Sequence, residues 1–253
     1  MSKLSVCILT FNSGRTLERC LRPVLSIADE IVVVDSGSTD ESNAISKSHG
    51  ISPHFQVYET HAKQMNFAIS LAAHDWVLCL DSDEFLDEVS IANICSLKPD
   101  LIDDGVGYRI TRYWHVLGEK VRAIYPVSSP DYPVRLFNRK KVRFNDQPVD
   151  DKPMGFSSVA LIHGAVVHDT FFSLDEVFSK ANSYTTRLVK NKSIDASVAS
   201  VFLSPLFAFA KWYFRKGAWR DGAIGLVTAG YAAVYSFLKY LKAWAKKRDM
   251  PLK

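Results

Sequence analysis

The chain has 253 residues, 47% of them apolar and 23% charged, a balance that excludes a disordered, collagen-like or low-complexity chain. At about 150 residues per domain this is one large domain, or one domain with an appendage, long enough to bury a core without disulfide or structural-metal staples. The net charge of +4 is uneven: residues 211–253 carry 10 Lys/Arg and 2 Asp/Glu, a balance of +8, and the first 210 residues a balance of −4, so an acidic body ends in a tail suited to an anionic partner.

In chain order, Leu4–Thr10 is a continuous apolar run of strand length, and its early start predicts no N-terminal signal peptide. Arg15–Ile27 has helical spacing, with Leu17, Leu21, Val24 and Leu25 on one face. Glu30–Asp35 is a second strand. Ser38 and Glu41 have capping-box spacing, which starts a helix there. Phe55–Tyr58 is a short strand, Ala62–Ala73 a helix and Trp76–Leu80 a fourth strand. Continuous apolar strands separated by helices predict a parallel sheet covered on both faces, with ligands beyond the carboxyl ends of its strands.

From about 100 to 170 the pattern is mixed, with strands at Gly107–Trp114, Tyr132–Asn138, Val142–Phe144 and Ala160–His168. The remainder reads as helical. Leu174–Lys190 has apolar spacing with interspersed charge. Two uncharged stretches, Ala196–Ala210 and Gly222–Leu238, fall short of the length a membrane span needs. From Phe237 onward one arc holds Phe237, Leu238, Tyr240, Leu241, Trp244 and Ala245, and the opposite arc Lys239, Lys242 and Lys246. Such a helix suits a membrane interface; packing on the domain with solvated lysines is the alternative. No nucleic-acid motif accompanies the tail. Cys7, Cys20, Cys79 and Cys95 form no C-x-x-C pair, and the chain reads as one for a reducing, cytosolic compartment.

Three strand ends carry candidate chemistry. Asp81-Ser82-Asp83-Glu84 follows the fourth strand. Carboxylates at i and i+2 on an extended strand end point the same way and suit a hard divalent ion, though a solvated acidic turn reads the same. Asp35-Ser36-Gly37-Ser38 follows the second strand and suits a nucleobase edge and anionic groups, or is an ordinary connection in which Asp35 is structural. Thr10-Phe11-Asn12-Ser13 follows the first strand and suits a helix cap as well.

Taken together, LTFNSGRTLERCL, EIVVVDSGSTDES and DWVLCLDSDEFL resemble, in order and spacing, the N-terminal motifs of glycosyltransferase family 2. His61-Ala62-Lys63-Gln64-Met65-Asn66-Phe67-Ala68 resembles that family's helix start before the D-x-D strand. Tyr125-Pro126, Pro130–Phe137, Pro148-Val149-Asp150-Asp151, His168, Lys180-x-Asn182-x-Tyr184, Gly217…Asp221-Gly222…Gly225 and Lys239-Tyr240 are similar to a bacterial subgroup, the lipopolysaccharide-core β-1,4-glucosyltransferases. Two departures stand out: Asp150-Asp151 replaces the subgroup's His-Glu after Pro-Val, and Val127-Ser128-Ser129 lengthens the segment before Pro130.

The resemblance implies an α/β fold of GT-A type, a Rossmann-like, mixed and mainly parallel sheet with flanking helices. It implies a catalytic domain over 1–170, with 1–100 for the nucleotide-sugar and 101–170 for the acceptor, and a helical, basic amphipathic region over 171–253. It further implies a UDP-sugar donor, Mn²⁺ or Mg²⁺ as cofactor, a lipid-linked oligosaccharide acceptor, and a cytoplasmic enzyme peripheral on the inner membrane through residues 211–253. The implied reaction moves a hexose, glucose first, to an inner-core heptose with inversion. Asp35 would contact uracil, with Thr10, Asn12, Ser36, Lys63, Asn66, Ser82 and Arg135 also on the donor. Asp81 would face ribose or metal, Asp83 would hold the metal, and His168 would complete its shell. Asp151 is the first candidate for the base that takes the acceptor proton, and Asp131 the second. The bland alternatives are turn residues for both aspartates, a structural salt bridge for Arg135, a solvated helix charge for Lys63, a local cap for Asn66 and an ordinary core histidine for His168. Two other functions compete: an aspartyl-nucleophile phosphatase, opposed by Phe85 and by the motif's place on the fourth strand, and a non-catalytic membrane-docked binding protein.

Overall fold

The apolar runs of the first hundred residues are strands in the structure, a computed structural model that describes residues 2–145, 147 and 151–252. Pro148, Val149 and Asp150 of the Pro-Val-acid motif lie outside the described residues. The chain divides into two units: unit 1 is Met1–Arg112 with Tyr132–His168, and unit 2 is Tyr113–Asp131 with Asp169–Lys253. Residues 113–131 therefore group with the C-terminal helices, where a division at residue 170 would leave them with the first region.

In unit 1, β1 (Leu4–Thr10), β2 (Glu30–Asp35), β3 (His54–Phe55) and β4 (Trp76–Asp81) pair in parallel in the order β3-β2-β1-β4. β5 (Glu84–Leu86) follows β4, and β6 (Val106–Val116) runs on into unit 2, where it pairs with β7 (Glu119–Lys120). Unit 2 also holds β8 (Ala123–Ile124), paired with β9 (Val127–Ser128). Back in unit 1, β10 (Val134–Asn138) is antiparallel to both β4 and β6. β11 (Arg143–Phe144) pairs with β12 (Pro153–Met154), and β13 (Ser158–Phe171) is antiparallel to β5. The sheet is thus mixed, as expected, with its parallel half confined to the first hundred residues.

Successive side chains on a strand face opposite ways, and β1 shows the consequence. Val6 and Ile8 join a core with Leu78, Leu80, Leu17 and Leu21, whereas Cys7 joins a second core with Val32, Val34, Cys79 and Met65. Helix α1 (Leu17–Val24) covers the first face and α3 (His61–Leu71) the second. Two expectations change here. Leu25 lies outside α1 and is exposed. The next helix, α2, spans Ser42–Ser48 with Glu41 as an N-cap whose side chain caps nothing; the Ser38 oxygen, instead of capping a helix, accepts from Asn12 N at 2.8 Å while its proton goes to Asp35. Helix α4 (Glu88–Leu97) begins at Asp87, whose carboxylate accepts from Ser90 N at 2.7 Å.

In unit 2, α5 (Leu174–Asn191) and α6 (Val198–Ala210) start at serine caps, Ser173 and Ser197. A π-helical turn, Lys211–Arg215, and a 3₁₀ turn, Ala218–Asp221, lead to α7 (Ala223–Lys246). Gly225 admits the chain at close quarters: a Cβ there would lie 1.8 Å from Ala218 O.

Two readings of the tail are corrected. The apolar Gly222–Leu238 stretch and the amphipathic segment after it form one continuous helix, and α7 is long and apolar enough to cross a membrane by length and composition. Within its unit, however, Ile224, Tyr231 and Tyr235 pack with Val116, Ile124 and Phe171, as in a core helix. The lysine arc is not a free basic face either. Lys242 is buried and donates to Asn182 O, Asn182 Oδ1, Thr185 Oγ1 and Thr186 Oγ1 at 2.6–2.8 Å. Lys246 donates to Val189 O at 2.7 Å, and Lys247 pairs with Asp195. Ammonium groups here serve the carbonyls and hydroxyls of α5 and the residues just after it, so α5 and α7 are joined along the face that the sequence assigns to lipid.

Candidate active site

The parallel register brings three strand ends level. Thr10 of β1 lies opposite Asp35 of β2, and Leu9 opposite Asp81 of β4. Beyond them, Ser36 N donates to Thr10 O at 3.1 Å and Ser82 N to Leu9 O at 3.2 Å. The chain leaves β1 toward β2 and β3, then returns to the other side of β1 for β4. That reversal is the topological switch at which open α/β sheets bind ligands. The two loops flanking it are joined by Ser13 Oγ and Ser82 Oγ, 2.7 Å apart. Thr10 Oγ1 is buried there with no hydrogen-bond partner.

The acidic side of this crevice is built around one imidazole. His61, the first residue of α3, places Nε2 3.0 Å from Asp81 Oδ1 and Nδ1 2.7 Å from Asp151 Oδ2. Burial would lower the His61 pKa, but the two carboxylates outweigh it and push it up to about 10. The ring is therefore an imidazolium at neutral pH. Burial would raise the Asp81 carboxyl, yet His61 and Arg135 hold it well below the usual carboxylate range. Behind it lies Glu84, 0% exposed. Its Oε1 meets Arg112 at 2.6 Å and also Arg135, whose guanidinium reaches Asp81 Oδ2 at 3.5 Å. A carboxylate so buried persists only when paired. Here two arginines neutralise it, which gives Arg135 the structural salt bridge rather than a position facing solvent.

Pairing of β5 with β13 sets His168 opposite Glu84, and this carries its Nε2 to 3.3 Å from Asp83 Oδ1. The structure thus joins Asp83 with His168, and Asp81 with Asp151 through His61. The other expected residues fall into two groups. Those at the crevice are Thr10, Asn12, Asp35, Ser36 and Ser82. Asn12 adopts φ 49° and its Oδ1 accepts from Thr39 N at 2.9 Å, a left-handed conformation uncommon outside glycine and asparagine. Asp35 accepts from Gly37 N, Ser38 N and Ser38 Oγ, and so it shapes its own loop. Ser36 Oγ accepts from Gln64 Nε2 at 2.8 Å.

The second group serves local structure. Asn66 gives both ends of its amide to the backbone of Phe144, at 2.9 and 3.0 Å, and so ties α3 to β11. Lys63 is exposed and pairs with Glu59 at 2.5 Å, the solvated helix charge of the bland reading. Asp131 belongs to unit 2, where it accepts from Trp114 Nε1 at 3.0 Å. Reading the sequence assigns no role to His61 or Glu84, and Arg112 is absent from it. The available signal for His61 is its place at a capped helix start, after Thr60.

Among the described residues, no group of three or more His, Cys, Asp or Glu is arranged to hold a metal ion. The donor chemistry of Asp83 and His168 nevertheless fits one. The Asp83 carboxylate suits a hard divalent ion that completes its shell with water and substrate phosphates, and the His168 imidazole favours a first-row transition ion such as Mn²⁺ over Mg²⁺.

The profile of "Glycosyl transferase family 2" matches residues 5–154. The chain is similar to the lipopolysaccharide core biosynthesis glycosyltransferase LpsC of Rhizobium meliloti (strain 1021), 29% identical over 96% of this chain and 92% of that one. It is 28% identical to an uncharacterized glycosyltransferase of Rickettsia prowazekii, over 100% and 89% of the two chains. Among solved structures, glucosyl-3-phosphoglycerate synthase of Mycobacterium tuberculosis with Mn²⁺ and UDP-glucose overlaps 77% of this chain and 80% of its own at 17% identity and a TM-score of 0.46, too loosely to bear on ligands. The family match spans more than half of the chain and contains the strand ends, the D-x-D segment and His61, which displaces the phosphatase and binding-protein alternatives: the chain belongs to glycosyl transferase family 2 and is a glycosyltransferase.

Proposed function

We propose that this chain transfers a hexose, glucose first, from a UDP-sugar to a lipopolysaccharide or lipooligosaccharide inner-core heptose, with inversion, at the cytoplasmic face of the inner membrane. The observation that carries the reading is that Asp81, Asp83, His61 and Asp151 all lie in the matched family region, residues 5–154, where His61 joins Asp81 to Asp151, while His168, beyond that region, meets Asp83. The lipopolysaccharide part rests on the likeness to LpsC.

On this reading the donor lies over the strand ends. Asp35 has about four lone-pair sites and gives three to its own loop, leaving one for a nucleobase N–H. Thr10 Oγ1, buried and unpartnered, Asn12, Ser36 and Ser82 line the same crevice. Lys63 and Asn66 support the helix that carries His61 rather than touch the donor. Asp83 and His168 would hold the divalent ion against the diphosphate, with Asp81 beside them, and a bound ion there offsets the charge that develops on the leaving oxygen. Arg135 acts at one remove, by fixing Asp81. Asp151 takes the acceptor hydroxyl proton. It is preferred to Asp131 because it shares His61 with Asp81, and the ring fixes its carboxylate at 2.7 Å.

The test is thermal stabilisation by UDP-, GDP- and CMP-sugars, with and without Mn²⁺, on wild type and Asp83→Ala. UDP-sugars alone should stabilise, only with the ion, and the effect should vanish in the variant. No shift with any nucleotide under any metal condition would overturn the donor site.

A further inference from the structure

Helix α6 departs from the rule that a surface helix hides its apolar stripe. Val201 packs inward, and Phe209 packs with Trp212, Ala229 and Ala232 of the same unit. The outward face is apolar too. Phe202, Leu206 and Phe207 are 66%, 67% and 71% exposed, Leu203 lies between them, and Phe214 continues the stripe at 65%. Positions 199, 202, 203, 206, 207 and 210 recur at helical spacing and carry no polar side chain. Isolated exposed hydrophobes need no explanation; a continuous aromatic and aliphatic stripe marks a surface that is covered in use.

The neighbouring charge says by what. Residues 196–220 contain no Asp or Glu and four Lys/Arg. Lys211, Arg215, Lys216 and Arg220 are all exposed directly after the stripe, with Trp219 half exposed among them. A bare apolar helix edged by cations and a tryptophan has the chemistry of the boundary between acyl chains and anionic headgroups. With 13 residues, α6 is ~20 Å long, short of the ~30 Å hydrocarbon core, so it lies in the interface and does not span it. We infer that the outward face of α6, with the basic turn after it, docks this chain onto an anionic phospholipid bilayer, in place of the α7 lysine arc.

For its biological sense the inference rests on the lipid-linked acceptor proposed above. Its test reads lipid binding alone, with UDP-sugar stabilisation measured in parallel, so the two readings fail separately. The full chain is floated with vesicles of phosphatidylcholine, or of phosphatidylcholine and phosphatidylglycerol in equal parts. Wild type should bind the anionic vesicles, weakly the neutral ones, and less in high salt. The pair Phe202→Ser/Phe207→Ser should lower partitioning at least ~10-fold, as should Lys211→Glu/Arg215→Glu. Leu174→Ser, an exposed apolar residue on α5, should change nothing, and all variants should keep the wild-type melting temperature. The charge-reversal pair stands in should the serine pair fail to fold. Wild type that ignores anionic vesicles, or folded variants that bind as well as it does, would overturn the inference. So would a wild-type dimer that Phe202→Ser/Phe207→Ser turns into a monomer without any change in vesicle binding, since a second copy would then cover the face.

Discussion

Cations do opposite work in the two units. In unit 1, His61, Arg112 and Arg135 are set among Asp81, Glu84 and Asp151, and His61 and Arg135 hold the Asp81 carboxyl well below the usual carboxylate range. In unit 2, Lys242 and Lys246 sit on carbonyls and hydroxyls of α5, and burial lowers the Lys242 pKa. The first arrangement gathers negative charge beyond the strand ends; the second uses positive charge to join two helices. Counting charges along the chain does not separate these uses, because both read as ordinary Lys, Arg or His until their partners are known.

The sharpest way to break the comparison is to neutralise the acid that His61 holds. Asp151→Asn should lower turnover by about 10²–10⁴-fold, the usual range for a general base, with donor stabilisation retained. If Asp131→Asn shows the larger loss instead, the base belongs to unit 2 and the division of labour fails. Next comes Glu84→Gln, which removes the carboxylate that Arg112 and Arg135 share. It should cost about 3–5 kcal/mol in urea unfolding, and a neutral result would mean that the remaining contacts, Asp81 for Arg135 among them, suffice. In unit 2, Lys242→Met should cost about 1.5–3 kcal/mol, against less than about 0.5 kcal/mol for Lys239→Met, three residues earlier on the same helix.

The smallest effect is a pH dependence. His61 has a folded pKa raised from 6.5 to about 10. Its contribution is therefore full below the lower value and is lost as pH rises through the upper one. The melting-temperature gap between wild type and His61→Gln, measured without metal or nucleotide, should narrow across that range. A gap independent of pH would mean that His61 binds its acids as a neutral ring.

Much of unit 1 was legible because each signal is local. The runs Leu4–Thr10, Glu30–Asp35 and Trp76–Leu80 are continuous and apolar, so they read as buried parallel strands. The polar residues after them had to lie at one edge of the sheet, and Thr10, Asp35 and Asp81 do. Asp83 with His168 was reached through the family resemblance, and it needed the pairing of β5 with β13 to become a contact. The Glu84–Arg135 pair, 51 residues apart in the chain, had no local signature, and neither did Asp151 with His61. The capping box at Ser38 does not form for a related reason: its oxygen accepts from Asn12 N, 26 residues earlier in the chain.

Hydrophobic periodicity and short motifs act over a few residues, so the sheet, the family and the polar strand ends are readable along the chain. Which charges meet and which faces stay bare is settled by the folded molecule. Both depend on contacts between distant segments: α7 has an amphipathic pattern suited to lipid, yet its lysines find the carbonyls of α5, while α6, without a charged residue, is left with an apolar stripe that nothing in its unit covers.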